Sequence, residues 1–162
     1  TSMILKSTTC IDEKVLRDII CAAVKFWRQH LGVPFYMKNI RKAQIRNRSG
    51  STSGRAYWHE RRFVASVGHT DWSCQHDCRM WCGRKKDYYT KFTIKRHVAV
   101  DEERLEMLTQ VIAHEVGHLA VHFAEDNHGR AYSRNRGKST GGDEEYIDRM
   151  AWKFVDGLTP AL

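Results

Sequence analysis

At 162 residues, 41% hydrophobic and 28% charged, the chain is long enough for one domain with its own core and has the balance of a globular protein. No apolar run approaches the ~18 residues of a membrane-spanning helix, and no secretion signal follows Thr1-Ser2, which reads as a cloning remnant, so a cytoplasmic protein is expected. The net charge of +8 is unevenly spread: residues 38–96 hold 15 basic and 4 acidic side chains, which makes that stretch a candidate surface for nucleic acid, against the plainer reading of a solvated face.

Asp12 to Leu31 reads as a helix, with Val15, Ile19, Ala22, Ala23, Phe26, Trp27 and Leu31 recurring on one side. Gly32 and Pro34 end it, a C′ glycine followed by a breaker. It carries no chemistry and is expected to cover a sheet. Phe35 to Ile45 is the first expected strand, and the Ser/Gly/Asn-rich run from Arg46 to Gly54 is the loop behind it. Arg55 to Val67 is the second strand, with Tyr57, Phe63, Val64 and Val67 as core candidates. Within it Arg55, Tyr57, Trp58, Arg61 and Arg62 form the cluster best suited to nucleic acid: rings can stack on bases while guanidinium groups meet phosphates.

Residues 69–86 form a Cys-rich basic insertion. Cys74, Cys78 and Cys82 are spaced C-x3-C-x3-C beside His69 and His76, and on a helix the three thiols would share one face. A second, structural zinc site is the sharper reading. Such sites more often use C-x2-C pairs, so free, partly buried thiols are favoured. Tyr88 to Val100 alternates as a third strand through Phe92, Ile94, Val98 and Val100. A strand along the edge of a cleft can hold an extended substrate by backbone pairing.

Leu105, Leu108, Ile112, Leu119 and Phe123 then recur at helical spacing behind Asp101-Glu102-Glu103, a cap and an acidic first turn. The helix they mark contains His114-Glu115-Val116-Gly117-His118, which is H-E-x-x-H. Residues four apart share a helix face, so both imidazoles can hold one metal ion. Glu115, between them, can reach a water on that ion without being a ligand. That is the layout of a zinc hydrolase. This composition produces H-E-x-x-H by chance with a probability of roughly 3%, so a helix with two surface histidines is the weaker reading.

A catalytic zinc takes a third protein ligand. His122 would lie about 12 Å along a straight helix from His114, too far to share the ion. His128, in His128-Gly129-Arg130-Ala131-Tyr132, follows Asp126-Asn127, which would break the helix and let the chain turn back. Glu144 opens a last helix behind Gly141-Gly142-Asp143, with Asp148 one turn on and Ile147, Met150 and Phe154 beside them. Acidic first turns are frequent and H-G-x-x-Tyr is the more specific pattern, so His128 stands slightly ahead and both remain open. A metzincin site is excluded, because Val121 and Ala124 stand where it needs Gly and His. Arg136-Gly137-Lys138-Ser139-Thr140 lacks the upstream glycine of a phosphate-binding loop and reads as a basic loop.

H-E-x-x-H followed by H-G-x-x-aromatic resembles the SprT-like metalloprotease domain, and the order of helix, small sheet, motif helix and H-G is similar too. That resemblance implies His128 as third zinc ligand and a protease acting on DNA-bound proteins, with residues 38–96 touching DNA. His-Glu-Val-Gly-His with a later E-x-x-x-D helix resembles the small gluzincins of the ImmA/IrrE type. That one implies Glu144 as ligand, Asp148 orienting a ligating histidine, and cleavage of a regulatory repressor.

The expected fold is α+β: an N-terminal helix, a three-stranded sheet, the motif helix, and a C-terminal helix over Glu144 to Val155, in one domain. The expected activity is hydrolysis of a protein or peptide, with Zn²⁺ as cofactor and Glu115 as general base. Tyr132 and Tyr146 are candidates to stabilise the oxyanion. A hypothesis of another class is a non-catalytic basic module built on a structural zinc. Glu115 argues against it, since a structural zinc needs no carboxylate beside its histidines.

Overall fold

A computed structural model of the chain describes residues 3–9, 11–48, 53–68, 94–128 and 141–158. Its first helix starts as its sequence dictates. The Asp12 carboxylate accepts from the Lys14 N–H at 2.7 Å and caps α1 (Glu13–Leu31). Gly32 ends it at φ 65°, where its N–H reaches the Arg28 carbonyl at 2.9 Å in a left-handed turn that a Cβ would strain. The buried side is Leu16, Ile20, Ala23, Val24, Trp27 and Leu31. This face is rotated from the expected one, and Val15 is 40% exposed. The helix carries two adjacent apolar stripes, and the packing partners decide between them.

Among the described residues the sheet has four strands, where three were expected. They are β1 (Ile4–Ser7), β2 (Lys42–Arg48), β3 (Ser53–Tyr57) and β4 (Arg62–Gly68), in the order β1-β2-β4-β3. β1 runs parallel to β2 and β2 parallel to β4, while β3 folds back antiparallel on β4. β1 has four residues, too few for an alternation to register. A 3₁₀ turn at Met37–Asn39 delays β2 to Lys42. The expected strand over residues 55–67 breaks at a turn, where Arg61 adopts φ 51° and its N–H bonds the Trp58 carbonyl at 2.9 Å.

The largest departure precedes the motif. Residues 94–100, expected as strand, are helical: α2 runs unbroken from Ile94 to His128. Helix propagation adds one bond per residue once a stable segment exists, and it overrides the β preference of three branched residues. Tyr88 to Thr93, the whole 69–86 insertion with Cys74, Cys78 and Cys82, and Tyr132 lie outside the described residues.

α2 is the centre of the molecule. The inner face of β3 and β4, α1, and α3 (Gly141–Leu158) all pack on it. From Leu108 to Val121 every residue is buried except His114 and His118. A helix buried all round lies inside a core, so its two partly exposed imidazoles, at 14% and 15%, mark an opening to solvent. The Trp27 indole, fully buried, donates from Nε1 to the Ala113 carbonyl at 2.9 Å. Its ring lies on Gly117, where a Cβ would stand 2.5 Å from Cζ2 and 3.0 Å from Ile147 Cγ2. The glycine inside the motif therefore lets α1 and α3 close on α2.

Gly117→Ala should destabilise the protein even though alanine is the better helix former. The propensity gain of up to about 1 kcal/mol is outweighed by an overpacking cost of about 1–3 kcal/mol, because a buried indole cannot retreat. Thermal unfolding reads this as a midpoint lowered by about 2–4 °C per kcal/mol. Among the described residues no helix is both long and apolar enough to cross a membrane.

Candidate metal centre

His114 and His118 face a cleft of about 600 Å³ between α2, β3 and the first turn of α3. Helical spacing brings their Nε2 atoms to 3.1 Å from each other. Glu144 enters from α3 and spans both rings. Its Oε2 lies 2.9 Å from His114 Nε2 and its Oε1 2.8 Å from His118 Nε2. Four residues on, Asp148 reaches the back of the same ring, with Oδ1 3.2 Å from His114 Nδ1. Asp148 also accepts from Gln110 Nε2 at 2.6 Å, which fixes its carboxylate. Residues i and i+4 of α3 thus address the two nitrogens of one imidazole.

The electrostatics follow from these contacts. Asp148 lies against His114 Nδ1 at 3.2 Å, and a proton held on that nitrogen would leave the lone pair of His114 on Nε2, facing Glu144 and His118. Burial holds the His118 imidazole below its ordinary range, which favours the neutral form a ligand needs. Glu115 is 4% exposed, and its Oε1 lies 3.9 Å from His114 Nε2. Its Oε2 is buried without a hydrogen-bond partner. Burial first, then the charge of Glu144, push its carboxyl up to about 8.

The donor set could hold a divalent metal ion, and zinc serves as the measure. Two imidazole nitrogens and a carboxylate converge at 2.8 to 3.1 Å. Ligands of one tetrahedral zinc stand about 3.4 Å apart, so a widening of a few tenths of an ångström would seat the ion. A single proton cannot serve all three approaches, whereas one cation at their centre can. That cation would also draw the Glu115 carboxyl back to its ionised form, and a water beside it would give the orphaned Oε2 a donor.

Gly54, read from the sequence as part of a loop, belongs to the site. A Cβ there would stand 2.7 Å from Glu115 Cγ and 2.7 Å from Val111 Cγ1. β3 passes so close over α2 that only hydrogen fits, and the strand pins Glu115 in place. Spacing offers no signal for this contact, because it joins residues 61 positions apart in sequence.

The other sequence-derived candidates separate. His128 is the last residue of α2. The break expected at Asp126-Asn127 does not occur, so its backbone lies ten residues, about 15 Å, along the axis from His118. Trp58 leaves the basic cluster for the end of the cleft. Its Nε1 donates to the Asp126 carboxylate and its ring stacks on His122 at 6.3 Å. Tyr57 stays with the arginines, the Arg62 guanidinium 3.8 Å and that of Arg55 5.9 Å from its ring centre. Arg61 sits in the β3–β4 turn. The Tyr146 hydroxyl is bonded to His30 Nε2 at 2.7 Å, and Tyr146 does not line the cleft.

Comparison of the chain with protein-family models, with curated proteins and with solved structures finds no match.

Proposed function

We propose that this chain is a zinc-dependent peptidase whose ion is held by His114, His118 and Glu144. One observation carries the reading: Glu144 closes the H-E-x-x-H pair at 2.8 and 2.9 Å while Asp148, one turn on, secures His114 from behind. Among the two resemblances, this favours the small gluzincin arrangement over the SprT-like one.

When bound, zinc supplies Lewis-acid polarisation of the scissile carbonyl and makes a water acidic enough to react near neutral pH. The residues do the rest. Asp148 would accept from His114 Nδ1–H and so leave the Nε2 lone pair free to hold the ion. Glu115 takes the proton of the attacking water on its carboxylate and passes it to the leaving amine nitrogen. Gly54, Arg55 and Ala56 of β3 line the cleft, and β3 is a sheet edge with no described strand on its outer side. An extended peptide added along that edge would lay its carbonyls past His114 and His118 by backbone pairing. This role falls to β3 in place of the segment over 88–100.

Metal removal tests the reading. Chelation should abolish cleavage of an unfolded protein substrate, and one equivalent of zinc should restore it. Cleavage that survives chelation, or zinc-loaded protein that cuts nothing in a complex peptide mixture, overturns the proposal.

A further inference from the structure

The strand register creates a second surface, on the side of the sheet turned away from α2. Leu5, Ala43, Ile45, Phe63 and Ala65 are paired across the strands and buried in the core. Side chains alternate along a strand, so the positions between them face outward. Those positions hold Lys6 on β1, Lys42 and Arg46 on β2, Arg62 on β4 and Arg55 on β3, with Tyr57 beside Arg62. The four strands contain no acidic residue at all. Glu60, in the β3–β4 turn, pairs with Arg62 at 3.2 Å. Among the described residues Lys6, Lys42, Arg46 and Arg55 make no ion pair. Lys6, Arg46 and Arg55 are exposed.

Within this face Lys42 and Arg62 stand directly opposite each other in the β2–β4 register. Like charges at paired positions destabilise a sheet; Glu60 offsets part of that cost at Arg62, and a bound anion would offset more. Neighbouring strands lie about 4.8 Å apart and outward positions about 6.6 Å apart along a strand, so the five cations form a patch some 15 Å across. A patch of that breadth suits a polyanion rather than a single small anion. It offers a membrane little to insert, because Ile4 is its one exposed large apolar side chain among the described residues. The Tyr57 ring is already covered by Arg62, which favours contact with phosphates over stacking on bases.

We propose that the outer face of the sheet binds nucleic acid through its phosphates, without reading sequence. The proposal does not depend on the metal centre, which lies on the other side of the sheet; of the five cations only Arg55 also borders the cleft.

The test is binding of fluorescent single-stranded and duplex oligonucleotides to the full chain, across about 50 to 200 mM salt. Five phosphate contacts predict log–log salt slopes of about −3.5 for single strands and −4.5 for duplex. The variant K6Q/K42Q/R46Q removes three cations of the face that do not border the cleft and make no ion pair among the described residues. It should bind at least about tenfold more weakly, with the slope shallower by about 2.1 for single strands and about 2.7 for duplex. The variant K25Q/K38Q/K153Q loses the same charge from exposed positions elsewhere, and should stay within about threefold of wild type. Four results would overturn the proposal: no binding at the lowest salt, equal losses in both variants, no loss in the first, or tighter binding to phosphatidylserine vesicles than to oligonucleotides.

Discussion

Glu115→Gln should lower peptide hydrolysis by about 10²- to 10⁴-fold while the purified protein keeps its zinc. Glutamine has the shape of glutamate, so it fills the space under Gly54 and beside Val111 without disturbing β3. It cannot take a proton from water, and that is the step assigned to Glu115. At 3.9 Å from His114 Nε2, Glu115 stands farther from the imidazoles than either oxygen of Glu144. His114, Glu115 and His118 nevertheless offer ligand atoms within 4.8 Å of one another, so a His-Glu-His triad is a second way to hold an ion. The shorter Glu144 distances and the second carboxylate behind His114 favour the four-residue arrangement. Metal analysis of the variant separates the two. Zinc retained with hydrolysis lost fits a general base. Zinc lost would make Glu115 a ligand. Full hydrolysis would remove the mechanism and restore the non-catalytic structural-zinc reading.

Glu144→Ala should emerge from dialysis without zinc, and His128→Ala should retain one ion per chain. Truncating Glu144 removes both oxygens that span the rings and leaves two histidines, short of the three protein ligands a catalytic zinc uses. Asp148→Asn is the graded companion. An amide accepts less well from His114 Nδ1–H, and loss of such an outer partner weakens metal affinity by about 10- to 100-fold. Competition with a zinc-binding dye reads all three proteins on one scale. Zinc lost with His128→Ala and kept with Glu144→Ala would reverse the assignment in favour of the SprT-like arrangement. Glu144 is half-exposed, and its replacement leaves the core side chains of α3 in place, so a folding defect is not expected to mask the result.

The sequence by itself determined the parts whose geometry is local. The pairing of His114 with His118 and the offset of Glu115 are consequences of 3.6 residues per turn, and they hold on any helix. The limits of α1 were equally legible, because Asp12 and Gly32 satisfy backbone groups within a few residues of themselves. The α+β class followed from the same periodicities, although β1 was too short to register and a strand pattern over residues 94–100 yielded to the helix beyond it.

Only the tertiary structure decided the rest, because those contacts join residues distant in the chain. Glu144 reads equally well as the acidic first turn of any helix, with Asp148 one turn on. They come together at His114 because Ile147, Ala151 and Phe154 seat α3 in the core and aim its start at that ring. Trp58 neighbours arginines in sequence, yet its indole goes to Asp126 and His122 across the cleft. Gly54 looks like a loop residue until β3 is seen lying on Glu115. The basic middle third is likewise a matter of register. Pairing in a sheet sends alternate residues to opposite faces, and it is this alternation that buries Ala43 and Phe63 while gathering Lys42, Arg62 and Arg55 on one outer surface.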